Sequence, residues 1–255
     1  MITFDNVTYG YNSAPVLQNV SFNIPGGESR VIMGPSGSGK STLLRLILAL
    51  DCPWSGSILI DSKDICSIKL KELRELRKQI GMVFQDGALF DSMTVGENVG
   101  FYLFENTNRS ETEIESEVRR MLEFVDLDPD IIDRLPEELS GGMRRRVAVA
   151  RALVSTHPKI MLFDEPTTGL DPQATESVLD LMLKLIQVEK ISVIVVTHQI
   201  ADALKLTDKF IVIRNGILVF DGNVDQLRES TVPEVVDFMA PFKSSVNDVV
   251  RKRMV

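Results

Sequence analysis

The segment Gly34-Pro35-Ser36-Gly37-Ser38-Gly39-Lys40-Ser41-Thr42 constrains this 255-residue chain more than any other, because few folds can present it. It has the spacing G-x-x-x-x-G-K-[ST], and it lies between an apolar run at 29–33 and a helix-like run at 40–50. Glycines let successive backbone N–H groups curl around phosphate oxygens without Cβ clashes. The helix that follows points its positive end at the same anion. In that setting Lys40 supplies charge to the outer phosphates, and the Ser41 hydroxyl is placed to ligate Mg2+. The plain alternative is a flexible Gly/Ser loop, and the flanking strand and helix argue against it.

The rest of the pattern is α/β. Residues 2–9, 20–24, 29–33, 56–60 and 80–84 read as strands, with Pro25-Gly26-Gly27 marking a turn. From about 87 to 158 the chain reads as a helical insert. Ser110-Glu111-Thr112-Glu113 is a capping box opening a helix at 113–125, where Ile114, Val118, Met121, Leu122 and Val125 recur at helical spacing. A second helix is expected at 141–153. Strand patterns return at 160–163 and 192–196 with a helix after Pro172 between them, an alternation that implies parallel pairing through crossovers. Asn215-Gly216 joins 210–214 to 217–220 as a hairpin, and the last thirty or so residues read as short appended helices.

Composition narrows the partners. The chain is 44% hydrophobic and 25% charged, enough apolar content for a sizeable core, and its net charge of -8 argues against sequence-independent nucleic-acid binding. No apolar run approaches the roughly 20 residues that span a bilayer. Residues 1–5 lack the basic-then-apolar order of a secretory signal. Cys52 and Cys66 have neither metal-ligand spacing nor a framework pattern, so both thiols are expected to be structural or incidental in a reducing cytoplasm. Any membrane role must then run through another chain.

Two further segments carry chemistry. Ile160-Met161-Leu162-Phe163-Asp164-Glu165 is a buried strand with two carboxylates at its C-terminal end, where ligands bind in open α/β sheets. Asp164 would hold the Mg2+ shell, through water, and Glu165 would polarise an attacking water; alone, such an Asp-Glu pair is most simply a capping turn. Leu139-Ser140-Gly141-Gly142-Met143 precedes the helical run 144–153, leaving a hydroxyl and free N–H groups at a helix start. Its plain reading is an ordinary N-cap.

In this order, the phosphate loop, the Ser-Gly-Gly signature and the apolar-Asp-Glu strand resemble the ABC (ATP-binding cassette) ATPase family, from about Ile2 to Gly222. The resemblance implies a P-loop NTPase (RecA-like) α/β core with an antiparallel β subdomain and an inserted helical subdomain. It places an ATPase domain at 1–223, the helical insert at about 87–158, and a C-terminal helical extension at 224–255. By position, Tyr11 resembles the aromatic that stacks on adenine, with adjacent Tyr9 the lesser candidate. Gln85 resembles the loop glutamine that senses Mg2+ and couples to the partner, Asp171 the residue that reports across the dimer, and His198 the switch histidine at the γ-phosphate. ATP and Mg2+ are the implied substrate and cofactor, with Lys40, Glu165 and His198 as catalytic groups. The phosphate loop with Tyr11 and Gln85 would grip ATP in one subunit, and Ser140, Gly141 and Gly142, with Asp171, would reach it from a second copy.

The implied partners are that second copy, integral membrane permease subunits, and a regulatory and a substrate-binding protein, on the cytoplasmic face of the inner membrane. Position 143, often glutamine in the family, is Met here. With residues 85–95 and 140–148 it resembles the MlaF group, which energises phospholipid trafficking between membranes. An amino-acid or other small-solute importer is the nearer rival and differs only in cargo. A soluble ABC protein of DNA repair or translation would carry coiled-coil or zinc insertions or two cassettes. A binding module that does not hydrolyse ATP is disfavoured by Glu165 and His198. Arg144-Arg145-Arg146 reads as partly solvated and partly paired with acidic neighbours, the acidic run 111–117 as a solvated face, and His157 as a loop residue without a role.

Overall fold

A computed structural model describes residues 1–156 and 158–240, which form two compact units: Met1–Glu75 with the chain from Ser192 onward, and Leu76–Ile191. His157 and the end of the tail beyond residue 240 lie outside the described residues.

The first unit begins with β1 (Ile2–Tyr11) and β2 (Ala14–Ile24), antiparallel partners in which Phe4 faces Phe22 with ring centroids 4.5 Å apart. Such an aromatic pair adds about 1 kcal/mol beyond its burial. β3 (Arg30–Met33) follows, then the phosphate loop and α1 (Lys40–Ile47). The helix expected at 40–50 stops at Ile47 because Ala49 takes a left-handed φ of 49° and the Leu50 N–H donates back to the Arg45 carbonyl at 3.0 Å. That is a Schellman-type ending built without glycine. β4 (Ser55–Ile60) pairs antiparallel with β1, and β5 (Lys63–Asp64) with β4, giving the order β2-β1-β4-β5 before the chain enters α2 (Leu70–Arg77).

One expectation is corrected in this unit. Cys52, in the turn after α1, and Cys66, just past β5, form a disulfide with Cα atoms 5.9 Å apart. The fold brings two exposed turns together across 14 residues of sequence, and their spacing carries no sign of it.

The second unit holds β6 (Ile80–Val83), α3 (Val95–Asn106), α4 (Glu111–Phe124), two short 3-10 turns, α5 (Gly141–Thr156), β7 (Ile160–Asp164) and α6 (Pro172–Gln187). β6 and β7 run parallel, with Val83 opposite Phe163. The capping box at Ser110 is formed, and hydrogen bonds from the Ser110 backbone and hydroxyl hold the Glu113 carboxyl below the usual carboxylate range. α3, which periodicity alone does not announce, opens with the same device at Thr94 and Glu97.

The chain returns to the first unit as β8 (Ser192–Thr197), α7 (Ile200–Leu206), the hairpin β9 (Lys209–Arg214) and β10 (Ile217–Asn223), α8 (Val224–Glu229) and α9 (Pro233–Met239). Asn215 and Gly216 both have positive φ, as the expected two-residue turn requires. Here the strand order is β10-β9-β3-β8, with β3 parallel to both β8 and β9. Every residue of β3 and β8 is buried, which is why both read as continuous apolar runs rather than alternating ones.

Candidate functional site

In the first unit, the phosphate loop leaves the C-terminal end of β3. A Cβ at Gly34 would lie 2.1 Å from the Ile213 carbonyl oxygen, so no larger residue fits there. Gly39 takes a φ of 101° as the N-cap of α1. Lys40 is buried, and its Nζ donates to the carbonyls of Gly34 at 2.9 Å and Pro35 at 3.0 Å, curling the side chain over its own loop. Pro35, Ser36 and Gly37 are exposed along the crest, Ser41 is exposed at the start of α1, and Thr42 is buried beneath it. The Ser38 hydroxyl is buried, with no hydrogen-bond partner among the described residues. An orphaned donor inside a glycine-rich phosphate loop is what a phosphate oxygen would satisfy.

Two more predicted residues stand in this unit. Met33 and Thr197 are register partners on β3 and β8, so Gly34 and the exposed His198 leave neighbouring parallel strands at the same end. Tyr11, at the end of β1, is 45% exposed, whereas Tyr9 is 6% exposed. Their rings meet edge-on at 5.3 Å, and Tyr9 also packs 6.2 Å from Trp54. Burial, then the neighbouring Asp51 carboxylate and Tyr11, push the Tyr9 hydroxyl up to about 12. Asp51 in turn accepts from Arg45 of α1 at 2.7 Å. This backing for Tyr11 has no motif of its own in the sequence.

In the second unit, β6 and β7 bring Gln85 and the Asp164-Glu165 pair to the same end of a parallel pair. Gln85 and Asp86 form the tip of a turn closed by the Gly87 N–H on the Phe84 carbonyl at 2.9 Å. Glu165 is buried with a φ of 47°, an uncommon conformation for a residue with a Cβ and one that concentrates at functional sites. Thr168, not anticipated from sequence, donates its hydroxyl to Glu165 Oε2 at 3.1 Å. Asp164 is half-buried.

The signature turn and Asp171 are neighbours in this unit. Asp171 caps α6, accepting from the Ala174 N–H at 2.9 Å, and Ser140 accepts from the Met143 N–H at 3.3 Å at the start of α5. A Cβ on Gly141 would approach Leu170 Cδ2 to 2.9 Å, and one on Gly142 would approach Ala174 Cβ to 2.8 Å. The two glycines thus let the N-termini of α5 and α6 lie against each other, presenting Ser140 and Asp171, both exposed, together.

The arginines that follow are more buried than expected. Arg144 Nη1 donates to the Leu139 carbonyl at 2.6 Å and Arg146 Nη1 to the Asp126 carbonyl at 2.7 Å. Arg145, with its side chain 6% exposed, lies 3.6 Å from Asp86. Among the described residues, Arg145 alone of the three has an acidic side chain within ion-pair distance, so backbone carbonyls take much of the role expected of acidic neighbours.

Among the described residues, no group of three or more His, Cys, Asp and Glu forms a metal site. Ser41, Gln85 and Asp164 are oxygen donors, the type a Mg2+ ion takes when nucleotide phosphates and water complete its shell.

The family model described as ABC transporter matches residues 17–168. The chain belongs to the ABC transporter ATP-binding family. This cassette is 38% identical over 239 residues to the intermembrane phospholipid transport system ATP-binding protein MlaF of Haemophilus influenzae, covering 94% of this chain and 90% of that one. It is 37% identical to the methionine import ATP-binding protein MetN of Caulobacter vibrioides, over 89% of this chain and 68% of that relative. A dimeric ATP-binding cassette solved in a post-hydrolysis state bound to ADP and Pi superposes with a TM-score of 0.79 at 36% identity, covering 88% of this chain and 98% of that one. The cbiO1 protein of Clostridium perfringens, part of the ABC transporter complex cbiONQ, gives a TM-score of 0.79 at 30% identity over 98% of both chains. The cassette is therefore an α/β P-loop NTPase and an ATPase, and ABC cassettes bind ATP and use Mg2+ in its hydrolysis. No helix among the described residues is long and apolar enough to cross a membrane.

Proposed function

We propose that this cassette closes with a second copy of itself around ATP and so drives a membrane permease that moves phospholipid or another lipid between membranes. The reading is carried by one observation: the close approach that Gly141 and Gly142 allow between the starts of α5 and α6 presents the exposed Ser140 and Asp171 together. The dimeric ADP- and Pi-bound cassette supports pairing of two copies.

Within one copy, Tyr11 stacks on adenine and residues 34–42 wrap the phosphates, with the Lys40 ammonium turning from its loop carbonyls to the outer oxygens. The Ser38 hydroxyl gains the acceptor it lacks. Ser41 and Gln85 would hold Mg2+ through their oxygens and Asp164 through water, and the ion would supply positive charge to offset that of the phosphates. Glu165, oriented by Thr168, accepts a hydrogen bond from the attacking water and takes its proton as the oxygen bonds to the γ-phosphorus and the bond to the β-bridging oxygen breaks. His198 donates to a γ-oxygen. The products are ADP and inorganic phosphate, and catalysis is mainly positioning and charge stabilisation. Ser140 and the N–H groups of Gly141 and Gly142 in the second copy meet the same γ-phosphate, with Asp171 at the join. Loss of that phosphate removes the bond between copies.

The permease docks on the exposed aromatic face of the second unit. Phe90 and Phe101 meet at 5.1 Å and are both exposed, as are Phe84 and Phe104. An amphipathic helix from a permease loop fits such a face. We further propose that an ATPase domain at 1–223 contains the helical insert at 87–158, that 224–255 is an extension, and that the assembly sits on the cytoplasmic face of the inner membrane.

Lipid cargo is supported by residues 85–95, by Met143 and by the likeness to MlaF. A small-solute importer is the second reading, favoured by MetN relatives of nearly equal identity. Affinity purification from native membranes decides between them: a permease carrying bound phospholipid supports the first, and one carrying an amino acid supports the second.

A further inference from the structure

The turn that carries Gln85 is fastened to α5. Asp86 faces Arg145, and Arg151 donates from Nη2 to the Gly87 carbonyl at 2.9 Å and from Nη1 to the Ala88 carbonyl at 2.8 Å. The same guanidinium lies 5.8 Å over the Phe90 ring. A Cβ on Gly87 would meet the Arg144 carbonyl oxygen at 3.3 Å, so turn and helix are in close contact. Ala88 has a φ of 47°, a left-handed conformation that costs a non-glycine residue about 1 kcal/mol. Two charge-assisted hydrogen bonds from one planar fork suffice to hold it. Beyond Phe90, the fully buried Asn98 takes over: it accepts from the Phe90 N–H at 2.8 Å and donates to the carbonyls of Phe90, Met93 and Thr94, each at 3.0 Å.

We propose that Arg151 is a positioning residue that locks the Gln85 turn and the Phe90 face to the helix carrying Ser140, Gly141 and Gly142, so that a displacement at either end reaches the other. α5 is one unbroken helix, and Arg151 lies about three turns beyond its glycine start, roughly 15 Å along the axis. A helix of that length moves as a rod, whereas a loop held by water would yield. The Arg151 fork therefore joins the residue facing a cassette's own nucleotide to the turn that meets its partner's. This rests on the reading that Ser140 acts in trans.

The test uses the full chain carrying Glu165→Gln, alone and with Arg151→Gln or Arg151→Lys. ATP affinity of the monomer, the ATP-dependent dimer midpoint and the melting temperature are measured for each, and kcat and KM are measured in the Glu165 background. Loss of two hydrogen bonds is expected to weaken the dimer and lower kcat by about tenfold, with monomer ATP affinity within about twofold. Arg151→Lys, which keeps one donor and the stem, recovers part of the loss. Unchanged dimerisation and kcat in Arg151→Gln overturn the proposal. So does a loss of ATP affinity in step with melting temperature and without rescue by lysine, which marks a merely structural arginine. If Glu165→Gln alone fails to dimerise with ATP, the trans reading itself has failed, and the Arg151 lock falls with it.

Discussion

The two compact units both build a glycine-rich turn at the start of a helix, and only the first of them also needs glycine for its backbone conformation. In the phosphate loop of the first unit, Gly37 and Gly39 hold φ values of 77° and 101°, conformations L residues avoid. In the signature turn of the second unit, Gly141 and Gly142 have no positive φ, and what they supply is missing volume against Leu170 and Ala174. The first turn needs a left-handed backbone as well as missing volume, since Cβ atoms on Gly34 and Gly39 would meet the Ile213 carbonyl oxygen at 2.1 Å and Leu17 Cδ2 at 2.7 Å; the second needs the missing volume alone, for a close helix approach. The first unit has an orphaned buried donor, Ser38 Oγ, inside its turn; the second has its polar groups, Ser140 and Asp171, exposed and turned outward. A turn completed by a small anion and a turn completed by another molecule would differ in this way.

Substitutions in the two turns should fail differently. Lys40→Ala removes the buried cation of the first turn and should abolish hydrolysis and weaken ATP binding by about a hundredfold or more, measured by calorimetry and phosphate release; near-normal turnover would break the site assignment. Glu165→Gln should lower kcat by about a hundredfold or more while ATP affinity is retained, since it removes a proton acceptor and no phosphate contact. Gly142→Val should leave ATP affinity of the monomer within about twofold yet cut ATPase activity about tenfold or more, because its Cβ forces α5 away from Ala174. A parallel loss of nucleotide binding would erase the distinction between the units. Gly37→Ala should cost least: nothing among the described residues would lie within 4 Å of the new Cβ, so only the left-handed backbone is penalised, by about 1 kcal/mol, seen as a small drop in melting temperature.

A pH titration sharpens the picture of the first unit. The folded state holds Tyr9 protonated to about 12, above the ordinary value of 10.0, so the native state binds more protons between those limits. This contribution to stability is complete below pH 10 and falls as pH rises toward 12. Denaturant melts at pH 9 and 11 should show a loss that Tyr9→Phe reduces.

Legibility followed how local each determinant is, in both units. The phosphate loop was readable because spacing and residue type state the backbone requirement directly, and β3 and β8 because strands buried on both faces leave unbroken apolar runs. The hairpin at Asn215-Gly216 was readable for the same local reason. α3 was not, because Gly96 and Gly100 weaken its helical signal. Those glycines are there for packing: a Cβ on Gly96 would lie 2.7 Å from Ile132, and one on Gly100 would lie 2.9 Å from Phe104. The Thr94–Glu97 capping box was the signal available. Thr168 beside Glu165, Asp51 beside Tyr9 and the Cys52–Cys66 pair are contacts made by tertiary approach, and no spacing rule encodes them.

The central claim is that one copy's nucleotide is completed by the signature turn of another. Sedimentation of Glu165→Gln with ATP and Mg2+, beside the same chain carrying Ser140→Arg, tests it most directly. A dimer is expected with ATP and not with ADP, and a monomer that still binds ATP once Arg replaces Ser140. A strictly monomeric ATP-bound Glu165→Gln, or a Ser140→Arg chain that dimerises equally well, would contradict it.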